Sequence, residues 1–154
     1  DRFLFRYTLN LRYETTADQL RYIIVQLREL LYGHPRVDAT SAYVRFIGFG
    51  QSSLDVEIFA YISETAQGPF LAVREDLLLR IMDIVESGGS GFAFPSQTLY
   101  MAKDGGLDDN KSREAGQAVQ RWREQGELPF PDHMPEKVRQ LDNTLDYPPK
   151  GSVT

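Results

Sequence analysis

Residues 42–62 read AYVRFIGFGQSSLDVEIFAYI. Two strand patterns, Ala42 to Phe49 and Leu54 to Ile62, flank the polar turn Gly50-Gln51-Ser52-Ser53, which is a hairpin signal. In each strand alternate residues share a face. Val44 and Phe46 therefore join Leu54, Val56, Ile58, Ala60 and Ile62 on the core side.

Upstream, Phe3 to Tyr13 alternates in the same way, with Phe3, Phe5, Tyr7, Leu9, Leu11 and Tyr13 on one face. Thr16 and Gln19 then have the spacing of a capping box. Leu20, Ile23, Ile24, Leu27, Leu30 and Leu31 follow at helical spacing, and Gly33 and Pro35 stop the helix. Downstream, Gly68 and Pro69 open a second helix, with Pro near the start where its missing N–H costs nothing. Its stripe is Phe70, Val73, Leu77, Ile81, Ile84 and Val85, widened by Leu71, Leu78 and Met82. Gly88 and Gly89 end it through a left-handed cap. A fourth strand is predicted from Phe92 to Met101, either on a sheet edge or starting after Pro95, because proline cannot donate to a ladder.

The order strand, helix, strand, strand, helix, strand predicts an α+β fold, the ferredoxin-like βαββαβ split sheet. Right-handed crossovers put both helices on one face. The other face stays open, and alternation assigns to it Arg6, Thr8, Asn10 and Arg12, then Tyr43, Arg45 and Ile47, then Asp55, Glu57, Phe59 and Tyr61. Arg6, Arg12, Arg45, Asp55 and Glu57 are its candidate functional residues, in a register that sets Arg45 opposite Glu57.

The core domain is expected over residues 1–101 and a C-terminal extension over 102–154. The extension holds a polar loop, a short helix from Ser112 to Gln125, the breaker Leu128-Pro129-Phe130-Pro131, a helical turn from Glu136 to Leu141, and an extended tail. The helix has one narrow stripe, Ala115, Ala118, Val119 and Trp122, and such a short helix is marginal alone. Trp122 is therefore expected to dock on its own domain or a neighbour.

The net charge of −5 disfavours nucleic acid and anionic lipid as partners. The absence of cysteine removes disulfides and thiolate metal sites. No apolar run approaches the roughly 20 residues that cross a bilayer, and Asp1 reads as a cut in a longer chain.

Catalytic signals are weak. His34, between Gly33 and Pro35, reads as a polar cap at a helix end. His133 lies in a Pro-rich segment without metal-ligand spacing and reads as solvent-exposed. Gly88-Gly89-Ser90-Gly91 follows a helix, whereas a phosphate loop precedes one. The first-strand aromatics share the face that packs the helices, so they read as core and not as a base-stacking platform. Ferredoxin-like acylphosphatases need an Arg and an anion-binding loop where this chain has Glu14-Thr15-Thr16-Ala17-Asp18, which is acidic. No enzyme activity, cofactor or metal is expected.

Particular segments resemble a known family. They are Arg12-Tyr13-Glu14-Thr15-Thr16, Val44-Arg45-Phe46, Phe49-Gly50, Ser53-Leu54-Asp55-Val56-Glu57, Arg74-Glu75-Asp76-Leu77 and, most tellingly, Gly91-Phe92-Ala93-Phe94-Pro95-Ser96-Gln97-Thr98-Leu99-Tyr100. Their order from Arg2 to Met101 resembles the C-terminal αβ domain of MscS-like, small-conductance mechanosensitive channels. The resemblance implies a parent protein in the bacterial inner membrane, with transmembrane helices and a β domain before this region. It implies homo-oligomeric assembly, as a heptamer, into a tension-gated pore that releases ions and small osmolytes on hypo-osmotic shock. This region would form the walls of a cytoplasmic vestibule. After Met101 the chain departs from the family prototype, which continues into a strand of a small β barrel. The isolated chain is expected to be a monomer or weak oligomer, because much of the assembly surface lies elsewhere. The alternative weighed is a stand-alone ferredoxin-like regulatory domain that binds a small ligand between protomers; an RNA-binding module is weaker still.

Overall fold

A computed structural model describes residues 2–94 and 106–153. Three strands, β1 (Phe3–Leu11), β2 (Val37–Phe49) and β3 (Leu54–Ile62), form an antiparallel sheet in the order β1-β3-β2. Helix α1 (Ala17–Gly33) connects β1 to β2, and α2 (Gln67–Ser87) follows β3. The extension supplies α3 (Asp109–Glu124) and α4 (Pro135–Leu141).

The hairpin has the expected faces except at Phe46, assigned to the core with Val44 but exposed at 37% beside the β2 irregularity. Along β3 burial alternates without a fault, so Leu54, Val56, Ile58, Ala60 and Ile62 enter the core. On β1, Phe5, Leu9 and Leu11 join them. Tyr7 and Tyr13, assigned to the same face, are exposed at 39% and 49%. β2 starts five residues before the predicted Ala42, because Val37 pairs with Ile62. Its ladder is irregular between Asp38 and Tyr43 and again between Phe46 and Gly48, where the extra residue Ile47 is pushed to the surface.

Past α2 the chain returns beside β1. Phe92 bridges antiparallel to Leu11, Ala93 N–H donates to the Asn10 carbonyl at 2.8 Å, and Arg12 N–H donates to that of Gly91 at 3.0 Å. Among the described residues this contact is an isolated bridge at the place where the βαββαβ order expects a fourth strand. The predicted strand residues 95–101 lie outside the described residues.

The helices cover one sheet face. α1 contributes Leu20, Ile23, Ile24, Leu27, Leu30 and Leu31, and α2 contributes Val73, Leu77, Ile81 and Val85. The stripe of α2 is narrower than its composition implies: Leu71 and Met82 are exposed at 46% and 55%. α2 ends in a Schellman motif, with Ser90 N–H donating to the Val85 carbonyl and Gly89 left-handed at φ 74°. A side chain at Gly89 would also collide with α3, since an added Cβ would lie 2.5 Å from Ser112 N.

α1 is buried on more than its core stripe. Val25, Arg28 and Tyr32 are also buried, because α3 and α4 pack on the side of α1 away from the sheet. Trp122 on α3 stacks parallel on Tyr22, ring centroids 6.0 Å apart. Asp108 caps α3, so this helix starts three residues before Ser112.

The join between the three helices is one side chain. Gln19 accepts from Thr16 N–H at 2.9 Å, and Thr16 Oγ1 accepts from Gln19 N–H at 3.1 Å, which completes the capping box. The amide nitrogen of Gln19 then donates to the Gly88 and Gly89 carbonyls and to Ser112 Oγ, at 3.0, 3.2 and 2.9 Å. Gln19 is 2% exposed, so no bulk water replaces these partners. Gln19→Leu should therefore cost about 1–3 kcal/mol, the penalty for stranding buried polar groups. Gln19→Glu should cost more, since it aims a carboxylate at two carbonyl oxygens. Urea unfolding checks both, and wild-type stability in Gln19→Glu would show that the amide is not the join.

Candidate functional site

The open face of the sheet carries the candidate polar residues, and the register sets their spacing. Thr8 and Arg45 both face Glu57, one from each neighbouring strand, and Arg6 and Tyr43 both face Phe59. Glu57 is the centre: Oε2 accepts from Arg6 Nε at 3.2 Å and Oε1 from the Tyr43 hydroxyl at 2.7 Å. The Tyr43 hydrogen bond, followed by the Arg6 guanidinium, holds the Glu57 carboxyl below its ordinary pKa. The same hydrogen bond raises the Tyr43 phenol. Beside this cluster lies an aromatic shelf. Tyr43 stacks on Phe59 at 4.9 Å, Phe59 meets Tyr61 edge-on at 5.5 Å, and Arg2 lies 4.0 Å above the Tyr61 ring.

Arg45 sits opposite Glu57 in the ladder, but its side chain pairs elsewhere. Its guanidinium donates to Asp132 Oδ1 at 2.6 Å and to the Pro131 carbonyl at 3.0 Å. Both Glu57 oxygens are already engaged, and Asp132 offers a second carboxylate for a charge-assisted bond. The expected cross-strand ion pair is thus replaced by a tie to the extension. Arg12 lies just past β1, pairs with Glu14 at 2.6 Å and sits over Phe94. Asp55 accepts from the Ser53 hydroxyl at 2.7 Å and so braces the hairpin turn. Arg6, Glu57 and Tyr43 therefore form one cluster, while Arg12, Asp55 and Arg45 serve three other places.

The two histidines lie at the seam between core and extension. His34 is the C-cap residue of α1, as its position implies, but its ring is fully buried. Nδ1 accepts from Arg36 N–H at 3.1 Å, so Nε2 carries the proton and donates to Asp76 Oδ2 at 2.9 Å. Asp76 also accepts from Arg80 Nε at 2.9 Å. Burial is the main cause that lowers the His34 pKa; the hydrogen bond to Asp76 opposes it. His133 departs from the expected exposure, with only 8% of the residue accessible. The strap before it is held to the core where Arg28 donates to the Pro129 carbonyl at 2.9 Å and Arg45 binds the next residues, and this draws the ring in edge-on against Tyr32. Its Nε2 lies 3.5 Å from Glu29 Oε2, and neither ring nitrogen has a hydrogen bond among the described residues. Tyr32, Asp76 and Arg28 are not recognisable from sequence as partners of these groups, because nothing local marks contacts that span 42 or 101 residues.

Among the described residues no group of three His, Asp or Glu side chains could hold a metal ion. None of the described helices is long and apolar enough to cross a membrane. What the site offers chemically is a face of paired charges and stacked rings.

The fold is of α+β class, an antiparallel sheet with its helices on one side and this polar, aromatic face on the other. Residues 5–92 match the family model of the C-terminal domain of the mechanosensitive ion channel MscS, and the chain belongs to that family. It is 42% identical over 95 residues to the low conductance mechanosensitive channel YnaI of Escherichia coli (strain K12), covering 61% of this chain and 27% of the relative. It is 40% identical over 99 residues to an MscS family protein of Aquifex aeolicus, covering 64% and 27% respectively. With the large-conductance mechanosensitive channel MscMJLR of Methanocaldococcus jannaschii it shares 27% identity over 100 residues, covering 63% and 28%. The chain thus spans about a quarter of the length of these relatives, and α3 and α4 lie beyond the residues matched by the family model.

The Glu57 cluster is a surface cluster, and surface pairs contribute little to stability. Glu57→Lys should therefore keep the wild-type far-UV spectrum and cooperative melting, with a small loss of Tm because the new ammonium faces Arg6. An unfolded variant would show that this face is buried and structural.

Proposed function

We propose that this chain is the cytoplasmic vestibule domain of a tension-gated channel that releases ions and small osmolytes on hypo-osmotic shock. The observation that carries the reading is the match of Phe5 to Phe92, from β1 through α2, to the MscS C-terminal domain. Relatives named as mechanosensitive channels support it, and the short coverage of those relatives leaves room for membrane-spanning and pore segments elsewhere in such a protein.

In this reading the domain works by shape and surface charge, without catalysis. Residues 1–101 form the αβ domain and residues 102–154 an extension that braces it. Subunits associate with copies of themselves, seven to a channel, in the bacterial inner membrane, with this portion in the cytoplasm. The open-face residues Arg6, Arg12, Arg45, Asp55 and Glu57 face the solvent-filled vestibule or a neighbouring subunit. Their charges are mostly matched by partners within the domain, as with Arg6 to Glu57 and Arg45 to Asp132, which suits a wall that many solutes pass.

The test is expression of the full-length protein in a bacterium stripped of its own mechanosensitive channels. Survival of osmotic downshock should rise, and excised membrane patches should show currents that open with suction. Patches that contain the protein and stay silent up to the lytic tension would overturn the reading.

A further inference from the structure

The tail after α4 closes over the end of α1. Leu145 N–H donates to the Gly33 carbonyl at 3.2 Å, and Arg80 donates to the Asp146 carbonyl. The approach is tight, since a Cβ on Gly33 would fall 2.7 Å from Thr144 Oγ1. The Tyr147 ring then caps His34, centroids 4.8 Å apart, with Arg36 on the same tyrosine at 5.9 Å. One imidazole thus lies beneath the tail, and the residues around it hold the tail in place.

A second proton on His34 would cost the ring a hydrogen bond. Its Nδ1 is the acceptor for Arg36 N–H at 3.1 Å. A proton on Nδ1 would set two N–H donors face to face and leave the Arg36 amide without its acceptor. The charged groups around the ring divide. Asp76 on α2 favours the imidazolium, while Arg80 on α2 and Arg36 before β2 oppose it. Glu64 draws off part of the Arg36 charge at 3.3 Å, and Glu64 and Glu75 also lie within electrostatic reach of Tyr147 on the tail. Asp76 is already shared with Arg80, so it is not free to compensate an imidazolium fully.

We propose that His34 is a proton-operated latch for the C-terminal tail: protonating it releases residues 144–149 from the end of α1, while α3 and the strap around His133 stay docked. The separation arises from where the contacts lie. The tail is tied at Gly33, Arg80 and His34, whereas α3 and the strap are tied at Asp18, Gln19, Arg28 and Arg45. Release uncovers the buried end of α1 as new surface.

Linkage sets the sign. The latched ring has its pKa below the ordinary value of about 6.5, which an imidazole in water regains. The latched state is therefore favoured in full above that value and loses ground as pH falls below it. The released population should grow about tenfold per pH unit below roughly 6.5, until the latched ring itself titrates.

Amide hydrogen exchange of the whole chain, followed by NMR and corrected for the intrinsic rate at each pH, reads this directly. Protection of Leu145 should fall about fivefold between pH 6.5 and 5.5, while protection within α3 holds. His34→Gln should abolish the pH response of Leu145, and His133→Gln should preserve it. Independently of any variant, imidazole 15N shifts should report the Nε2–H tautomer of His34 at neutral pH and titrate together with the loss of Leu145 protection. Constant Leu145 protection from pH 7.5 to 5.5, an unchanged response in a folded His34→Gln, or His34 gaining its second proton with the tail still protected would each overturn the proposal.

Discussion

The side-chain amide of Gln19 is the point on which the arrangement of helices depends. Its oxygen starts α1 by closing the capping box, and its nitrogen ends α2 and receives α3. A helix terminus leaves several backbone groups without partners, and a buried terminus must find them locally. Here two such termini and the first turn of a third helix meet at one residue, so α1 cannot shift without stranding carbonyls at Gly88 and Gly89. The left-handed Gly89 is what lets the α2 terminus come this close to Ser112. Core burial supplies the driving force for folding, but this polar join fixes where the layers sit, since a half-satisfied buried network is costly.

α1 consequently becomes a middle layer. One side meets the sheet through Ile23, Leu27 and Leu31, and the other meets the extension through Tyr22, Val25, Arg28 and Tyr32. The extension is pinned by charged groups at its ends and middle: Asp18 with Arg123, Arg45 with Asp132, and Arg80 with the Asp146 carbonyl. The Arg123 bond comes first among the causes that keep the Asp18 carboxyl below its ordinary pKa. The family match on this chain ends at Phe92. Beyond it, α3, the Pro-rich strap and α4 cover the face of α1 that points away from the sheet.

The fold was legible wherever a signal was local and periodic. The hairpin, the β1 alternation, the capping box at Thr16 and Gln19 and the glycine stop of α2 each need only a few neighbouring residues to be read. The early start of β2 was not legible, because Asp38, Thr40 and Ser41 resemble a turn until Val37 is seen to pair with Ile62. Leu71 and Met82 misled for the opposite reason: they fit the helical period, but the neighbours of α2 reach only its central row. Alternation assigns the open face residue by residue, yet it says nothing about rotamers, so the turn of Arg45 toward Asp132 was hidden. The burial of His133 was hidden too. A histidine among prolines reads as surface until Arg28 and Arg45 are seen to hold the strap down.

Core and extension therefore form one cooperative unit, joined through α1. Trp122 reports on the extension, and the far-UV signal reports on the whole, so the decisive measurement is urea unfolding of the intact chain followed by both probes. One transition is expected, with the same midpoint and slope for Trp122 fluorescence and for ellipticity. A fluorescence transition at clearly lower urea, with most of the ellipticity retained, would contradict the join and make the extension a separable appendage.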